Sequence, residues 1–269
     1  MSSAGKTLEL LAYFTPDRPE IGLSQMCRLA NRDKATTYRH LQALEDAGFV
    51  EKNSLNKHYR IGPAVLQLAQ TREITVPRKS GADDAIKQLA HTTGETSHVS
   101  VLSGTTLYAL TSCESQKHSA RIVIDLHSFP LHATASGICA LAFGPKELLD
   151  VAQNNLERFT PKTITNLDDL KAALESTLYS GFAQSDGNFE TDARSLASPV
   201  FDQSGHYAGS VSVASVATRF TNDLERLIKT QLMAASRQIT RNWGGTVPTH
   251  LEKAWERTSQ SSYSLETIK

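Results

Sequence analysis

The part of the sequence that most constrains the fold is residues 23–50, LSQMCRLANRDKATTYRHLQALEDAGFV. It contains two short runs with apolar residues at helical spacing. The corner between them falls at Asn31, a residue type that tolerates the left-handed backbone conformation. Ser24 is a candidate cap for the first helix and Asp33 for the second, which Gly48 is suited to end. The pattern predicts two helices that meet at a tight turn.

Each of these helices has a distinct inward face. The predicted inward residues are Met26, Leu29 and Ala30 in the first helix and Thr37, Leu41 and Leu44 in the second. An earlier amphipathic helix is expected over residues 6–15, where the prolines of the following PDRPE segment end it. The polar side of the third helix is predicted to face outward, with Lys34, Thr36, Tyr38, Arg39 and His40 as candidate DNA-binding residues. Such a helix reads base edges in the major groove of DNA.

A cationic hairpin follows the third helix. The segment FVEKNSLNKHYRIG, residues 49–62, predicts two short strands around residues 54–56, and it carries Lys52, Lys57 and Arg60. Residues 1–80 contain 12 Lys and Arg against 8 Asp and Glu, although the whole chain has 28 of each. This unit is therefore predicted to be a winged helix–turn–helix that binds DNA. A winged helix that contacts only protein is the alternative.

Three segments resemble the IclR family of bacterial transcription regulators. Residues 23–50 are similar to its DNA-binding domain, with Asn31 where glycine is usual, Asp33 where proline is frequent, and His40 where an aliphatic residue is common. FPLHATASGICALAFG, residues 129–144, and the long segment of residues 180–221 that ends in Arg–Phe–Thr are similar to its effector domain. Ile138 stands where the family often has lysine. The resemblance covers roughly residues 5–243 and implies a GAF-like α+β domain that binds a small organic acid.

The length of 269 residues favours two domains. We predict a winged helix–turn–helix domain over residues 1–62, a linker helix and hinge over 63–80, a GAF-like effector-binding domain over 81–245 and a partly disordered tail over 246–269, with disorder beyond Ser259. In the second domain we expect a helix over residues 82–93 and strands over 98–104, 106–113 and 120–126. Helices follow near 135–144, 146–155 and 167–180, then strands over 180–186, 194–202 and 207–215, and a long helix over 222–242. This order of elements predicts an α+β fold.

The candidate effector site begins at residues 134–137. They open a predicted helix, where free backbone N–H groups favour a carboxylate and small residues permit close approach. The resemblance implies that the effector contacts this helix start and two strands opposite. The candidate effector-binding residues are Ala135, Ser136, Gly137, Ser185, Asp186, Ser195 and Ser212.

Catalytic, metal and cofactor sites are not predicted. The chain lacks G-x-S-x-G, H-E-x-x-H and phosphate-loop motifs. His127, His132 and Cys139 follow no recognised zinc spacing, and the three cysteines are far apart without a C-x-x-C pair, which favours reduced thiols. No secretory signal and no apolar run of eighteen residues is present, so we expect a cytoplasmic, nucleoid-associated protein with no membrane partner.

The sequence therefore predicts a sequence-specific DNA-binding transcription regulator, a repressor of a catabolic operon, controlled by a small organic acid. We expect a homodimer or homotetramer on double-stranded operator DNA, with the first helix and the linker helix as dimerising elements. A small-molecule-binding protein whose winged helix contacts protein is the alternative function, followed by a hydrolase.

Overall fold

The chain forms two compact units, residues 1–77 and residues 78–269. The computed structural model describes the backbone of residues 2–124 and 127–264, and side chains as far as residue 260. Each unit has its own hydrophobic core. Among the described helices, none is both long and apolar enough to cross a lipid bilayer.

The first unit consists of three helices, a two-stranded hairpin and a fourth helix. Its elements are α1 (Ser3–Glu9), α2 (Leu23–Ala30), α3 (Lys34–Asp46), β1 (Val50–Lys52), β2 (Tyr59–Ile61) and α4 (Pro63–Thr75). The first helix is shorter than expected because residues 10–13 form a 3-10 turn. Its core contains Leu10, Ile21, Met26, Leu41, Leu44, Val50 and Tyr59. Strands β1 and β2 pair antiparallel, as the hairpin pattern predicts.

The turn between α2 and α3 has the backbone that its residues favour. Asn31 adopts the left-handed conformation with φ of 50°. The Asp33 side chain caps α3 by accepting a hydrogen bond of 2.9 Å from the N–H of Thr36. The prediction that Ser24 caps α2 is wrong, because α2 begins at Leu23 with Gly22 in the cap position. Both the corner and the α3 cap are confirmed.

The second unit has an antiparallel five-stranded sheet covered by helices. Its elements are α5 (Arg78–Thr93), β3 (Thr96–Ser103), β4 (Thr106–Cys113), α6 (Ala135–Phe143), α7 (Glu147–Gln153), α8 (Leu167–Ser180), β5 (Ala183–Asp186), β6 (Ala193–Phe201), β7 (Tyr207–Val216), α9 (Asn222–Asn242) and α10 (Thr249–Ser264). The strand order is β4-β3-β7-β6-β5. The α+β fold class is confirmed. Helix α5 starts at Arg78, four residues earlier than expected. Only residues 76 and 77 separate it from α4.

Helices cover the two faces of the sheet. Ser97 Oγ on β3 donates a hydrogen bond of 2.6 Å to the carbonyl oxygen of Ile86 in α5. The neighbouring His98 instead contacts Ser136 in α6. Because successive side chains of a strand point to opposite faces, α5 and α6 lie on opposite sides of the sheet.

The predicted strand over residues 120–126 is wrong for residues 120–124, and residues 125 and 126 lie outside the described part. The edge of β4 is instead occupied by residues 127–129. The N–H of Ala109 donates to the carbonyl of His127, and the N–H of Phe129 donates to the carbonyl of Leu107. Residues 120–124 therefore find the edge of β4 already occupied, although their alternating apolar pattern resembles a strand.

The prediction of disorder beyond Ser259 is wrong for residues 260–264, which belong to α10. This helix is held by contacts far apart in the sequence. Leu251 and Trp255 are fully buried in the main core, and Trp255 Nε1 donates a hydrogen bond of 3.1 Å to the carbonyl of Gly181. Residues 265–269 lie outside the described part.

Candidate functional site

The outward face of α3 presents cationic and aromatic side chains. Lys34, Tyr38 and Arg39 are exposed, and Thr36 is partly buried. Among the described residues, no carboxylate lies within ion-pair distance of Lys34 or Arg39. Thr37, Leu41 and Leu44 face the core as predicted. The geometry leaves a row of unneutralised donors at the start of a solvent-facing helix.

His40 does not belong to this outward face, and its predicted placement there is wrong. Its side chain is buried, with Nδ1 at 2.6 Å from Thr7 Oγ1 of α1. Position 40 falls three residues after Thr37 and four before Leu44, so the helical period places it on the inward stripe. Desolvation lowers the pKa of His40 below its ordinary value. His40 therefore joins α1 to α3.

The three hairpin cations have different surroundings. Lys57 is exposed with φ of 59°, and no ion pair to it is found within the described part of the chain. Lys52 Nζ lies 5.1 Å from the ring centre of Tyr59 and 6.0 Å from that of Tyr38. Arg60 Nε forms an ion pair of 2.6 Å with Glu51. Arg60 is thus already partnered, whereas Lys57 presents an unneutralised charge.

A cavity lies in the second unit beside the start of α6. About 100 Å³ of it is open to the centres of water-sized molecules. The main apolar lining residues are Ile122, Val123, Ile124, Phe129, Phe189 and Ala214. The polar lining residues are His98, Thr134, Ser136, Ser185, Glu190 and Ser195. The walls that the described residues form are therefore mostly apolar, and among those residues no Lys or Arg lines the cavity.

A buried chain of polar groups borders this cavity. His98 Nε2 lies 3.0 Å from Ser136 Oγ, and Ser136 Oγ lies 2.7 Å from Ser212 Oγ. The imidazole stacks on Phe129 with ring centres 5.0 Å apart. Burial lowers the pKa of His98 to about 4, so the ring is neutral near pH 7. Among the described residues, His98 Nδ1 has no hydrogen-bond partner.

The start of α6 supplies backbone donors to the cavity. Thr134 Oγ1 accepts the N–H of Gly137 at 3.0 Å, and the carbonyl of Thr134 accepts the N–H of Ile138. Helix geometry leaves the preceding N–H groups, those of Ala135 and Ser136, without intrahelical acceptors. Both residues line the cavity. An anionic ligand there meets the positive end of the helix dipole.

Four of the seven candidate effector residues line the cavity, and the other three do not. Ala135, Ser136, Ser185 and Ser195 line the cavity, and Ser185 Oγ donates to the carbonyl of Ala133. Ser212 is buried behind Ser136 and does not line it. The remaining two candidates, Gly137 and Asp186, also do not line it.

Packing and charge explain why Gly137 and Asp186 stand away from the cavity. A Cβ at Gly137 would lie 2.4 Å from the carbonyl oxygen of Pro130, so this glycine permits close packing of α6. The Asp186 carboxylate instead forms ion pairs with Arg194 at 3.3 Å and Lys162 at 3.6 Å. Their assignment as effector-binding residues stays a prediction, although neither residue lines this cavity.

His98 is the main cavity residue that the sequence reasoning missed. It lies in the strand segment HVSVLS, whose alternation separates His98 and Ser100 from Val99 and Val101. Alternation shows that two faces exist, but only tertiary packing shows which face meets α6. The aromatic walls, Phe129 and Phe189, lie outside regular elements and carry no periodic signal.

Two family models cover most of the chain. A model described as the IclR helix-turn-helix domain matches residues 3–54, and one described as the C-terminal domain of the bacterial transcriptional regulator IclR matches residues 78–241. The chain belongs to the IclR family of bacterial transcription regulators. It is accordingly a DNA-binding transcription regulator and not an enzyme.

Individual IclR-family proteins are similar over nearly the whole chain. A regulator structure from Silicibacter sp. TM1040 is 36% identical with a TM-score of 0.86, covering 93% of this chain and 99% of its own. The repressor AllR of Klebsiella pneumoniae is 30% identical, with 80% of each chain covered. A homolog from Microbacterium hydrocarbonoxydans, complexed with 4-hydroxybenzoate, is 19% identical with a TM-score of 0.73, covering 89% of this chain and 100% of its own.

His132 and Cys139, two residues weighed as metal or catalytic candidates, have structural surroundings in this IclR-family chain. His132 Nε2 lies 2.8 Å from the carbonyl oxygen of Glu157. Burial raises the pKa of the Cys139 thiol to about 12, which leaves it protonated and unreactive. Among the described residues, no three or more His, Cys, Asp or Glu side chains form a group that could hold a metal ion.

Proposed function

We propose that this regulator is a repressor of a catabolic operon and that α3 reads its operator. The observation that carries this proposal is the outward face of α3, where Lys34 and Arg39 are exposed and unneutralised. Arg39 donates two parallel hydrogen bonds to a guanine, and Thr36 contacts a base or phosphate. Lys52 and Lys57 place the hairpin on the DNA backbone, while Arg60 contributes less because Glu51 neutralises it.

We further propose that the protein binds DNA as a homodimer or homotetramer in the cytoplasm, at the nucleoid. The support is α4, in which no residue is buried although Leu66, Leu68 and Ile74 are at least half exposed. Leu8 of α1 is also exposed. Burial of these side chains against a second copy removes apolar surface from water. Two copies then present two winged helices to a pseudopalindromic operator.

The proposed effector site is the cavity at the start of α6, and the proposed effector is a small organic acid. The N-terminal amides of α6 and the hydroxyl of Ser136 favour a carboxylate there. The similar Microbacterium protein was crystallised with 4-hydroxybenzoate, an organic acid, which is consistent with this class of ligand. Regulation requires that the acid bind the DNA-free and DNA-bound states with different affinities.

A selection from genomic DNA tests the proposed function. The purified full-length protein is mixed with sheared genomic DNA, and the retained fragments are sequenced. We expect one shared pseudopalindromic motif, enriched near a catabolic operon, and weaker enrichment in Arg39→Ala. His40→Ala is not a suitable control because His40 is buried; Gln42→Ala, at a partly exposed position of the same helix, is the matched control. Retention without any shared motif would favour the alternative in which the winged helix contacts protein.

A further inference from the structure

The tip of the hairpin between β1 and β2 presents one apolar side chain to solvent. Leu55 is 93% exposed, more than any other large apolar side chain that the structure describes. The segment NSLNK, residues 53–57, is otherwise polar. Single exposed apolar residues are common on protein surfaces, so exposure alone gives Leu55 no role. What distinguishes Leu55 is the rigid turn that carries it.

Hydrogen bonds within the hairpin fix this turn. The N–H of Leu55 donates to Oδ1 of Asn53 at 2.9 Å, and the N–H of His58 donates to Oδ1 of Asn56 at 2.8 Å. The N–H of Lys57 donates to the carbonyl of Asn53 at 2.9 Å, with Lys57 in the left-handed backbone conformation. Because these bonds already order the turn, a partner that binds the tip has little loop entropy to remove.

A carboxylate outside the hairpin holds the turn against the rest of the first unit. Glu20 Oε1 accepts a hydrogen bond of 3.2 Å from Asn53 Nδ2, and Glu20 Oε2 accepts one of 2.8 Å from Asn56 Nδ2. The next residue, Ile21, forms backbone hydrogen bonds of 2.8 and 2.9 Å with Tyr59 of β2. Since residues 20 and 21 lead into α2, they join the hairpin to the helix–turn–helix.

The hairpin lies beside the outward face of α3. Lys52 Nζ, at the end of β1, lies 6.0 Å from the centre of the Tyr38 ring on that face. One sugar–phosphate strand separates the major groove of DNA from the neighbouring minor groove, and Lys52 and Lys57 are exposed cations that suit it. With α3 in the major groove, the hairpin tip therefore meets the minor groove.

The chemistry of Leu55 restricts what it can contact there. A leucine side chain has no donor or acceptor for phosphates or base edges, so it gains only by leaving water. On DNA, apolar side chains do this against a thymine methyl group in the major groove or between base pairs opened from the minor groove. Because α3 occupies the major groove, the second contact is the one available to the hairpin tip.

We propose that Leu55 is an apolar wedge that enters the minor groove of the operator and partly unstacks one base step, and that Glu20 is the positioning residue that holds the tip for this insertion. The inference rests on the proposed function and goes beyond it, since it assigns a kink and a sequence preference to positions outside the reach of α3. Such wedges bend the duplex by about 20–90°, and pyrimidine–purine steps open most easily. We therefore expect a TA or CA/TG step beside each half-site.

Energy transfer between dyes at the two ends of an operator fragment tests the wedge. The fragment is the one that the full-length protein enriches in the genomic selection, with 2-aminopurine at the step beside the half-site to report unstacking. The wild type is expected to bend the fragment and to raise the 2-aminopurine fluorescence. Leu55→Ser should lose most of both signals and bind the operator about tenfold more weakly, because the burial of one leucine side chain is lost.

Two substitutions at the tip serve as controls. Leu55→Met keeps a flexible apolar side chain of similar size, and Ser54→Ala changes the exposed neighbour of Leu55. Both variants should retain the bend and the fluorescence signal. Since residues 54 and 55 are exposed, none of these substitutions disturbs the core of the first unit.

A change in the DNA tests the sequence preference independently. Replacement of the expected pyrimidine–purine step by a stiff AA step raises the energy needed to open the stack. This replacement should weaken binding of the wild type but leave the affinity of Leu55→Ser nearly unchanged. Equal losses for the two proteins would show that another residue reads this step, which overturns the assignment to Leu55.

A double-mutant comparison tests the positioning role of Glu20. Glu20→Ala releases both asparagine side chains, so it should reduce the ratio of operator affinity to random-DNA affinity. If Glu20 acts through Leu55, this substitution causes no further reduction in the Leu55→Ser background. A merely structural role would lower the ratio equally in both backgrounds and would remove Glu20 from the proposal.

The remaining outcomes separate the wedge from the proposed function. An unbent operator with the wild type, or an equal bend with Leu55→Ser, overturns the wedge while specific DNA binding stands. Unchanged DNA signals together with a smaller assembly of Leu55→Ser in sedimentation would place Leu55 between two copies of the chain, which also overturns the wedge. A genomic selection that enriches no motif overturns the proposed function and the wedge with it.

Discussion

At the scale of single residues, burial controls the protonation of His98. The unfolded chain binds a proton at this position near pH 6.5, whereas burial lowers the folded-state pKa to about 4. Between these values the unfolded state holds more protons, so the free energy of unfolding falls as the pH is lowered through this window. The stabilisation is fully present above pH 6.5 and is lost toward pH 4.

This gives a measurable difference between wild type and His98→Gln. The wild type is predicted to lose roughly 2–3 kcal/mol more of its unfolding free energy than the variant between about pH 7.5 and pH 4.5. Trp243 and Trp255, the only tryptophans, both belong to the second unit, so their fluorescence during urea unfolding reports on that unit. Parallel pH dependences of the two proteins would show that folding does not lower the pKa of His98.

Two cations of the first unit are predicted to have separate roles on DNA. Arg39→Ala should weaken binding to the operator by about 1–3 kcal/mol while barely changing the affinity for random DNA, because it removes a contact with a base. Fluorescence anisotropy with both DNAs measures the two losses. A similar loss on operator and random DNA would place Arg39 on the phosphate backbone instead.

Lys57 is predicted to contact phosphate. Asn tolerates the positive φ of this position, so Lys57→Asn removes the charge without straining the hairpin turn. Binding to every sequence should weaken alike, and the slope of log affinity against log salt should become shallower by about one. An unchanged salt slope would mean that Lys57 makes no phosphate contact. The already paired Arg60 is the comparison site, with a smaller expected change.

At the scale of elements, α10 completes the core of the second unit. A Cβ at Gly181 would lie 2.5 Å from Trp255 Cδ1, which shows how closely the indole covers the end of α8. Arg237 of α9 is paired with Glu252 of α10 and lies with its guanidinium carbon 5.1 Å from the centre of the Trp255 ring. The helix thus joins α8 to α9.

Truncation of the Trp255 side chain tests this role. Trp255→Ala is expected to lower the unfolding free energy of the second unit by about 3–5 kcal/mol, since it leaves a large cavity in the core. The matched control is Glu256→Ala on the exposed side of α10, with little expected change. Unfolding in urea, followed by circular dichroism, measures both. A small effect of Trp255→Ala would mean that α10 is dispensable for the fold.

Local sequence signals predicted the bounds of some elements well. Contacts between residues far apart in the sequence determined the structure of the others. The bounds of α9 match the expected 222–242 because Thr221 caps the helix and the apolar period runs its whole length. The strand expected at 120–124 did not form because residues 127–129 occupy the edge of β4, and Ile122, Val123 and Ile124 line the cavity instead. His40 was placed outward because it is polar, although its period is that of the core. The burial of Trp255 depends on Gly181, far away in the sequence, so no local pattern could show it.

At the scale of the whole molecule, we expect one coupling free energy to link operator binding by the first unit with acid binding by the second. If an acid weakens operator binding by some factor, the operator weakens acid binding by the same factor. Couplings of this kind are commonly about 1–3 kcal/mol. Titration of benzoate into the free protein and into its operator complex should therefore give different affinities. Equal affinities would show that the cavity ligand does not regulate DNA binding.

Sequence-specific DNA binding is the central claim. Fluorescence anisotropy at moderate salt should compare the fragment enriched in the genomic selection with a shuffled fragment of the same length and composition. We expect a preference of about a thousandfold or more for the enriched fragment, reduced in Arg39→Ala and retained in Gln42→Ala. Equal affinity for the enriched and shuffled fragments would contradict the claim that α3 reads an operator.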